Sequence, residues 1–329
     1  MRQPLLLGLL AGLVAALFVA SLAVGPAGIG LRGSLAALVA GGDGPAPLIL
    51  REIRLPRALL GLLIGAGLGL SGAALQGFLR NPLAEPGLIG VSSSAALGAV
   101  VAIYSGASAA FALALPVFAL AGALLGVLAI LALAGAAART LTLILAGVAV
   151  SALAAALTSL VLNLSSNPYA AGEIVFWMMG SLADRSMLHV AIAAPFILAG
   201  GIALLTLGRG LDALTLGEDA AASLGIGLAA MRLRLVLGIA AVVGAATAVA
   251  GAVGFVGLVV PHLLRSATGA RPARLLWASA LGGAAVVLAA DVATRVIAPE
   301  RDLKLGVLTA LVGAPFFLHL IRKTAREAA

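Results

Sequence analysis

Few residues in this 329-residue chain are able to do chemistry: 12 carboxylates, three histidines and no cysteine. Without thiols, disulfides, thiolate metal sites and cysteine nucleophiles are excluded. His189, His262 and His319 stand at the ends of apolar runs and share no ligand spacing, so the sequence predicts no metal site. A serine protease inside the membrane would need a buried serine facing one of these peripheral histidines, and the spacing supplies none. Asp291 and Arg295 differ, because they lie four apart inside an apolar run, where they can pair on one helix face and lessen each other's cost in lipid. A lone pair is thin support for a proton relay. Ion-coupled transport generally needs an ionisable residue within a span, and no Asp, Glu or Lys occupies the middle of one. A proton-coupled secondary transporter is therefore the alternative reading, behind one in which charged residues dock partners.

Membrane helices must position these residues. The chain is 63% apolar and 10% charged, with a mean hydropathy of +1.21, far beyond what a soluble domain needs. A bilayer core of about 30 Å takes roughly 20 apolar residues per helix. Apolar runs fall at 5–24, 58–78, 87–104, 111–136, 141–162, 188–207, 235–264, 275–297 and 305–321. The first is too long for a secretory leader, so it is expected to be retained. The seventh, 30 residues without a formal charge, is too long for one straight span and too short for two. Gly251, Gly254 and Gly257 offer a break near Gly254, with a shorter second helix ending at Pro261-His262. The expected fold is an all-α polytopic membrane protein, one transmembrane domain over 1–329, with no stretch left for an ATPase or a ligand-binding lobe.

Loop charge decides between nine spans and ten. With ten, starting inside, 12 of the 20 Lys and Arg are cytoplasmic; with nine, the balance reverses. Ten spans with both termini cytoplasmic obey the positive-inside rule. The formal charge of +8 is spread over connections without interleaved aromatics, so it points to orientation in a membrane and not to nucleic acid. Arg32, Arg51, Arg54 and Arg57 nonetheless fall outside, where they either meet headgroup phosphates or dock an acidic partner.

Other constellations leave alternatives open. Gly61, Gly65 and Gly69 form a smooth strip for close helix approach. Two prolines in Asn81-Pro82-Leu83-Ala84-Glu85-Pro86-Gly87 fix an irregular turn, either a gate or a plain connection. In the soluble-facing segment 209–234, Gly217 to Gly225 reads as a short helix with acids in its first turn and glycine at its end. Leu216, Ala220 and Leu224 share a face there, suited to a groove on another protein or else left in a solvated loop. Phe176-Trp177-Met178-Met179-Gly180 is either an outer vestibule or an interfacial aromatic belt. The strings 70–78 and 249–257 resemble each other, suggesting a weak inverted repeat.

Five blocks in order carry a family resemblance: Arg54-Leu55-Pro56-Arg57; Leu70 through Ser94, including Gln76 and the two-proline turn; Leu216 through Gly225; Gly254 through His262; and Leu305 through Phe317. Together they resemble the permease family of bacterial type II ABC importers for iron-siderophores, haem and cobalamin. The resemblance implies ten helices per subunit in the inner membrane, a homodimer with the path on its two-fold axis, two ATPase subunits and a periplasmic binding protein. ATP and Mg would be held by the ATPase partners, with no cofactor on this chain. It assigns Arg54, Arg57 and Arg295 to binding-protein docking, while Arg32 and Arg51 have no counterpart. Leu216, Gly217, Glu218, Asp219, Leu224 and Gly225 match the family's ATPase-coupling helix. Asn81 and Leu83 match one cytoplasmic gate, and Thr140 and Leu141 another, although Leu141 replaces a smaller polar residue. The fifth and tenth spans would line a nearly uncharged path. The expected cargo is an iron chelate, either a ferric siderophore or haem, with cobalamin as the alternative.

Overall fold

Glycine sets the architecture. The computed structural model describes residues 3–25, 33, 44–111, 113–135, 140–165, 167–298 and 301–328. Its helices are α1 (Gln3–Ala23), α2 (Leu55–Leu79), α3 (Val91–Tyr104), α4 (Ala114–Ala134), α5 (Thr140–Leu164), α6 (Pro168–Met178), α7 (Met187–Leu205), α8 (Gly208–Leu214), α9 (Glu218–Ser223), α10 (Leu228–Ala250), α11 (Val256–Arg265), α12 (Pro272–Ile297) and α13 (Leu305–Ala328). Shorter turns at Pro45–Leu48, Ile49–Arg54, Pro86–Ile89 and Ala107–Ala110 join them. Among the described residues there is no strand, seven helices are long and apolar enough to cross a membrane, and three shorter apolar helices, in α3, α11 and α13, accompany them.

The glycine strip on α2 is a contact with α12. A Cβ at Gly65 would overlap the Gly283 carbonyl, one at Gly69 the Ser279 carbonyl, and one at Gly61 would press on Leu288. Because residue numbers rise along α2 as they fall along α12, the two helices run antiparallel. Small residues let the backbones meet, which is how helices cohere where lipid removes the hydrophobic drive. Val14 of α1 packs on Ala284 and Leu288, and Ser21 reaches Arg295, so α1 runs parallel to α12. In α2 and α10, 78% and 72% of the spanning window is buried, against 22–28% in α1, α4, α5 and α7. α2 and α10 are thus the centre of the bundle, and the others present apolar side chains outward.

The broken seventh run is found as expected. α10 ends at Ala250, the chain crosses Gly251–Phe255 without helix, and α11 begins at Val256. Gly251 has φ +70° and backs onto the Trp177 carbonyl, so no side chain fits there. String 70–78 is continuous helix in α2, while 249–257 holds a helix end, the link and the first residues of α11. The two strings meet, for a Cβ at Gly72 would overlap the Gly257 carbonyl. Both are rich in small residues because they touch.

Candidate functional site

Two ends of the bundle carry polar constellations. At one end, α1 stops at Ala23 and leaves its last carbonyls without intrahelical partners. Two arginines from other helices take them up. Arg54 Nη1 donates to the Leu22 and Ala23 carbonyls at 2.8 and 3.0 Å. Arg295 Nη1 donates to Ser21 and Val24 at 2.8 and 2.6 Å, and its Nη2 donates to Ser21 Oγ at 2.8 Å. Cations at a helix C-terminus also meet the negative end of its dipole. Asp291, 1% exposed, joins the set: Oδ1 accepts from Arg57 Nε at 2.8 Å and Oδ2 from Arg295 Nη2 at 2.7 Å. The Asp291–Arg295 pair read from the sequence is present, and Arg57 is a second partner for the same carboxylate.

Removing one member of a buried ion pair strands the other in low dielectric, which costs about 3–5 kcal/mol. Asp291→Leu leaves two cations facing each other and is expected to lower stability by that amount, measured by denaturant unfolding in detergent. Asp291→Asn keeps an acceptor and is expected to lose less. Equal unfolding midpoints for wild type and Asp291→Leu would refute a carboxylate that holds this end together.

At the opposite end, α2 finishes at Leu79 with Arg80 in the left-handed region, φ +51°. The following turn folds back on the bundle. Asn81 Oδ1 accepts from Leu83 N at 2.9 Å, an Asx turn that shapes the corner. Gln76, 1% exposed, aims its Nε2 at the Ala84, Gly257 and Leu258 carbonyls at 3.3–3.4 Å, and its Oε1 accepts from Arg265 Nη2 at 3.1 Å. The Glu85 carboxyl, in the turn outside the spanning helices, faces the backbone N–H groups of Phe255 and Leu258. Burial pushes it up to about 7 against the opposing pull of those two donors.

The 209–234 segment sits at this same end. Asp212 of α8 accepts from Ala273 N at 2.9 Å and lies 3.7 Å from Arg271, fastening the segment to the start of α12. Gly217, φ +107°, turns the chain into α9, whose first turn carries Glu218 and Asp219, and Gly225, φ +81°, closes it. Ala221 is buried beneath the helix, while Leu216 and Leu224 are 70% and 64% exposed. Two leucines displayed beside a pinned short helix form a ready knob.

Comparison with known proteins bears on all of these regions. The model of the FecCD transport family matches residues 13–323. The chain belongs to that family. It is 43% identical over 281 residues to the cobalamin import system permease protein BtuC of Halobacterium salinarum, covering 84% of this chain and 74% of the relative. It is 40% identical to the Fe(3+) dicitrate transport system permease protein FecD of Escherichia coli, covering 83% and 85%. It is also 40% identical to the hemin transport system permease protein HmuU of Yersinia pestis, covering 84% of each. A solved metal-chelate type ABC transporter, in an inward-facing conformation, superposes with TM-score 0.85 at 33% identity, covering 97% of this chain and 99% of that one. The chain is an ABC-transporter permease, a transport component.

Seen as a FecCD permease, the sequence-read residues divide by end. Arg54, Arg57 and Arg295 cluster together, and only the Asp291 partner of Arg295 was announced by spacing; Arg54 is 4% exposed, and Arg57 is the more open member of the Asp291 pairs at 17%. Arg51 is exposed, and Arg32 lies outside the described residues. Asn81 and Leu83 sit in the tied turn. Leu141 is 66% exposed at the start of α5, and the side chain of Thr140 is outside what is described. Phe176 is 59% exposed, with Lys304 Nζ 5.4 Å from its ring centre, beside a cavity of about 150 Å³ lined also by Glu173, Trp177 and Arg185. Sequence reasoning gave no role to Asp212, Glu85 or Gln76. A lone amide in the last turn of an otherwise apolar helix, just before a two-proline turn, was the available signal for Gln76.

Proposed function

We propose that this chain is the membrane-spanning subunit of an ATP-driven importer that moves an iron chelate, a ferric siderophore or haem, across a bacterial inner membrane. The family match over 13–323 carries the reading. Cobalamin is the second reading, favoured by the 43% identity to a cobalamin permease. In this proposal the seven long and three shorter apolar helices are ten spans, with both termini cytoplasmic, and two copies of the chain enclose the path. The outward apolar faces of α5 and α13, including Leu153, Leu160, Leu311 and Val312 at 51–71% exposure, support a second copy beside them. Two ATPase subunits, holding ATP and Mg, would seat on Leu216, Gly217, Glu218, Asp219, Leu224 and Gly225. A periplasmic binding protein would dock on Arg54, Arg57 and Arg295, its acidic groups competing with Asp291 for Arg57. The gates would be Asn81 with Leu83, and Thr140 with Leu141.

The permease does no covalent chemistry in this scheme. A loaded binding protein delivers cargo to the dimer cavity, and ATP-driven movement at α9 switches the gates. Proteoliposomes holding the permease and its ATPase test it, with the cognate binding protein loaded with ferric siderophore, haem or cobalamin. ATP-dependent uptake of an iron chelate alone is expected. Uptake of cobalamin alone would establish the second reading, and uptake driven by a proton gradient without the ATPase would refute both. Arg57→Glu in the same vesicles is expected to weaken binding-protein stimulation about tenfold, since like charge across an interface costs on the order of a kcal/mol or more.

A further inference from the structure

We infer that Gln76 and Glu85 are positioning residues that clamp the 81–86 turn to the start of α11, so that the turn moves with α11 and not as a free flap. The inference rests on the gate reading of that turn and adds the linkage that drives it. Gln76 reaches both elements at once, with the Ala84 carbonyl on one side and the Gly257 and Leu258 carbonyls on the other. An amide has two N–H donors, so three carbonyls at 3.3–3.4 Å share them. Arg265, at the far end of α11, holds the amide oxygen and thereby fixes which way the donors point.

Glu85 makes the same connection from the turn. Its buried carboxyl faces Phe255 N and Leu258 N at the α11 N-terminus, where a negative charge is favoured. Its Oε2 is buried with no hydrogen-bond partner, an arrangement that needs a reason to persist. Phe255 itself stands at φ +67°, unusual for a bulky residue, and so must be held by its surroundings. Close packing closes the clamp. A Cβ at Gly257 would come within 2.8 Å of Pro86 Cδ, and Gly257 in turn abuts Gly72 of α2. The turn, α2 and the broken-helix start are thus locked three ways at a point where α10 has already ended.

Hydrogen exchange of the assembled transporter in nanodiscs, with ATPase and binding protein present, tests the clamp alongside ATP hydrolysis. Gln76→Leu and Glu85→Ala are each expected to speed exchange about tenfold in both the 81–90 and the 255–260 peptides, the effect of losing a charged or buried hydrogen bond. α7 peptides should not change. Stimulation of hydrolysis by the binding protein should fall by about the same factor. Glu85→Gln keeps a carbonyl acceptor for the two N–H groups and is expected to restore both readouts to within about threefold. Should Gln76→Leu fail to assemble, the Glu85 pair decides alone. Exchange that rises in one segment only, or in neither, overturns the clamp. Full stimulation in Asn81→Ala and Leu83→Ala would sink the gate reading instead, while leaving the exchange result standing.

Discussion

Gly69→Val will unfold this permease more readily than any comparable change on its lipid-facing helices. The Gly69 Cα lies against the Ser279 carbonyl and near Gly283, so even a first Cβ overlaps backbone, and backbone cannot rotate away as a side chain can. Overpacking of a tight core costs about 1–3 kcal/mol, and a forced separation of α2 and α12 belongs at the upper end. The loss should propagate, because α2 is the helix around which α1, α7, α10, α11 and α12 pack. Gly12→Val provides the comparison: nothing lies within 4 Å of a Cβ there, and α1 faces outward. Unfolding of both variants in the same detergent should show a loss of about 3 kcal/mol for the first and less than about 0.5 for the second. Similar midpoints would show that the α2–α12 contact is not what holds the centre.

The second large effect is on assembly. Leu216→Asp with Leu224→Asp should abolish co-purification of the ATPase while leaving the permease as stable as before. Burying a leucine stabilises an interface by about 1.5–3 kcal/mol, so losing two, with carboxylates put in their place, amounts to a hundredfold or more in affinity. The folded permease should not notice, because both side chains already face solvent and Ala221 beneath them is untouched. Pull-down of tagged ATPase and thermal unfolding of the isolated permease separate the two. Normal co-purification would remove the coupling assignment, and a destabilised permease would show that the leucines serve the fold.

These two outcomes draw on different kinds of information. The short acidic helix α9 was legible along the chain because its signals are local: acids where a helix begins, glycine where it ends, and leucines spaced to share a face. The break in the 235–264 run was legible for the same reason. The glycine strip announced a close contact, but its partner is more than 200 residues away, and only the fold names α12.

The arginines show the boundary between the two. Their types and external placement suggested docking, and the family resemblance strengthened it. Whether a guanidinium points outward or inward depends on what lies within its reach, which here is the C-terminus of α1, with its unsatisfied carbonyls, and the Asp291 carboxylate on α12. Neither is near Arg54 or Arg57 in sequence.

Sequence alone determined that this is a membrane chain of many helices, broken once near Gly254, with one short acidic helix displayed and a rigid two-proline turn. Hydropathy, loop charge and turn chemistry are properties of neighbouring residues, so they survive without coordinates. Tertiary structure alone decided that the look-alike strings touch, that Asp291 serves two arginines, and that Gln76 ties the turn to the broken helix. Each of these joins groups far apart in the chain, and lipid, which offers no partners of its own, makes such groups find one another.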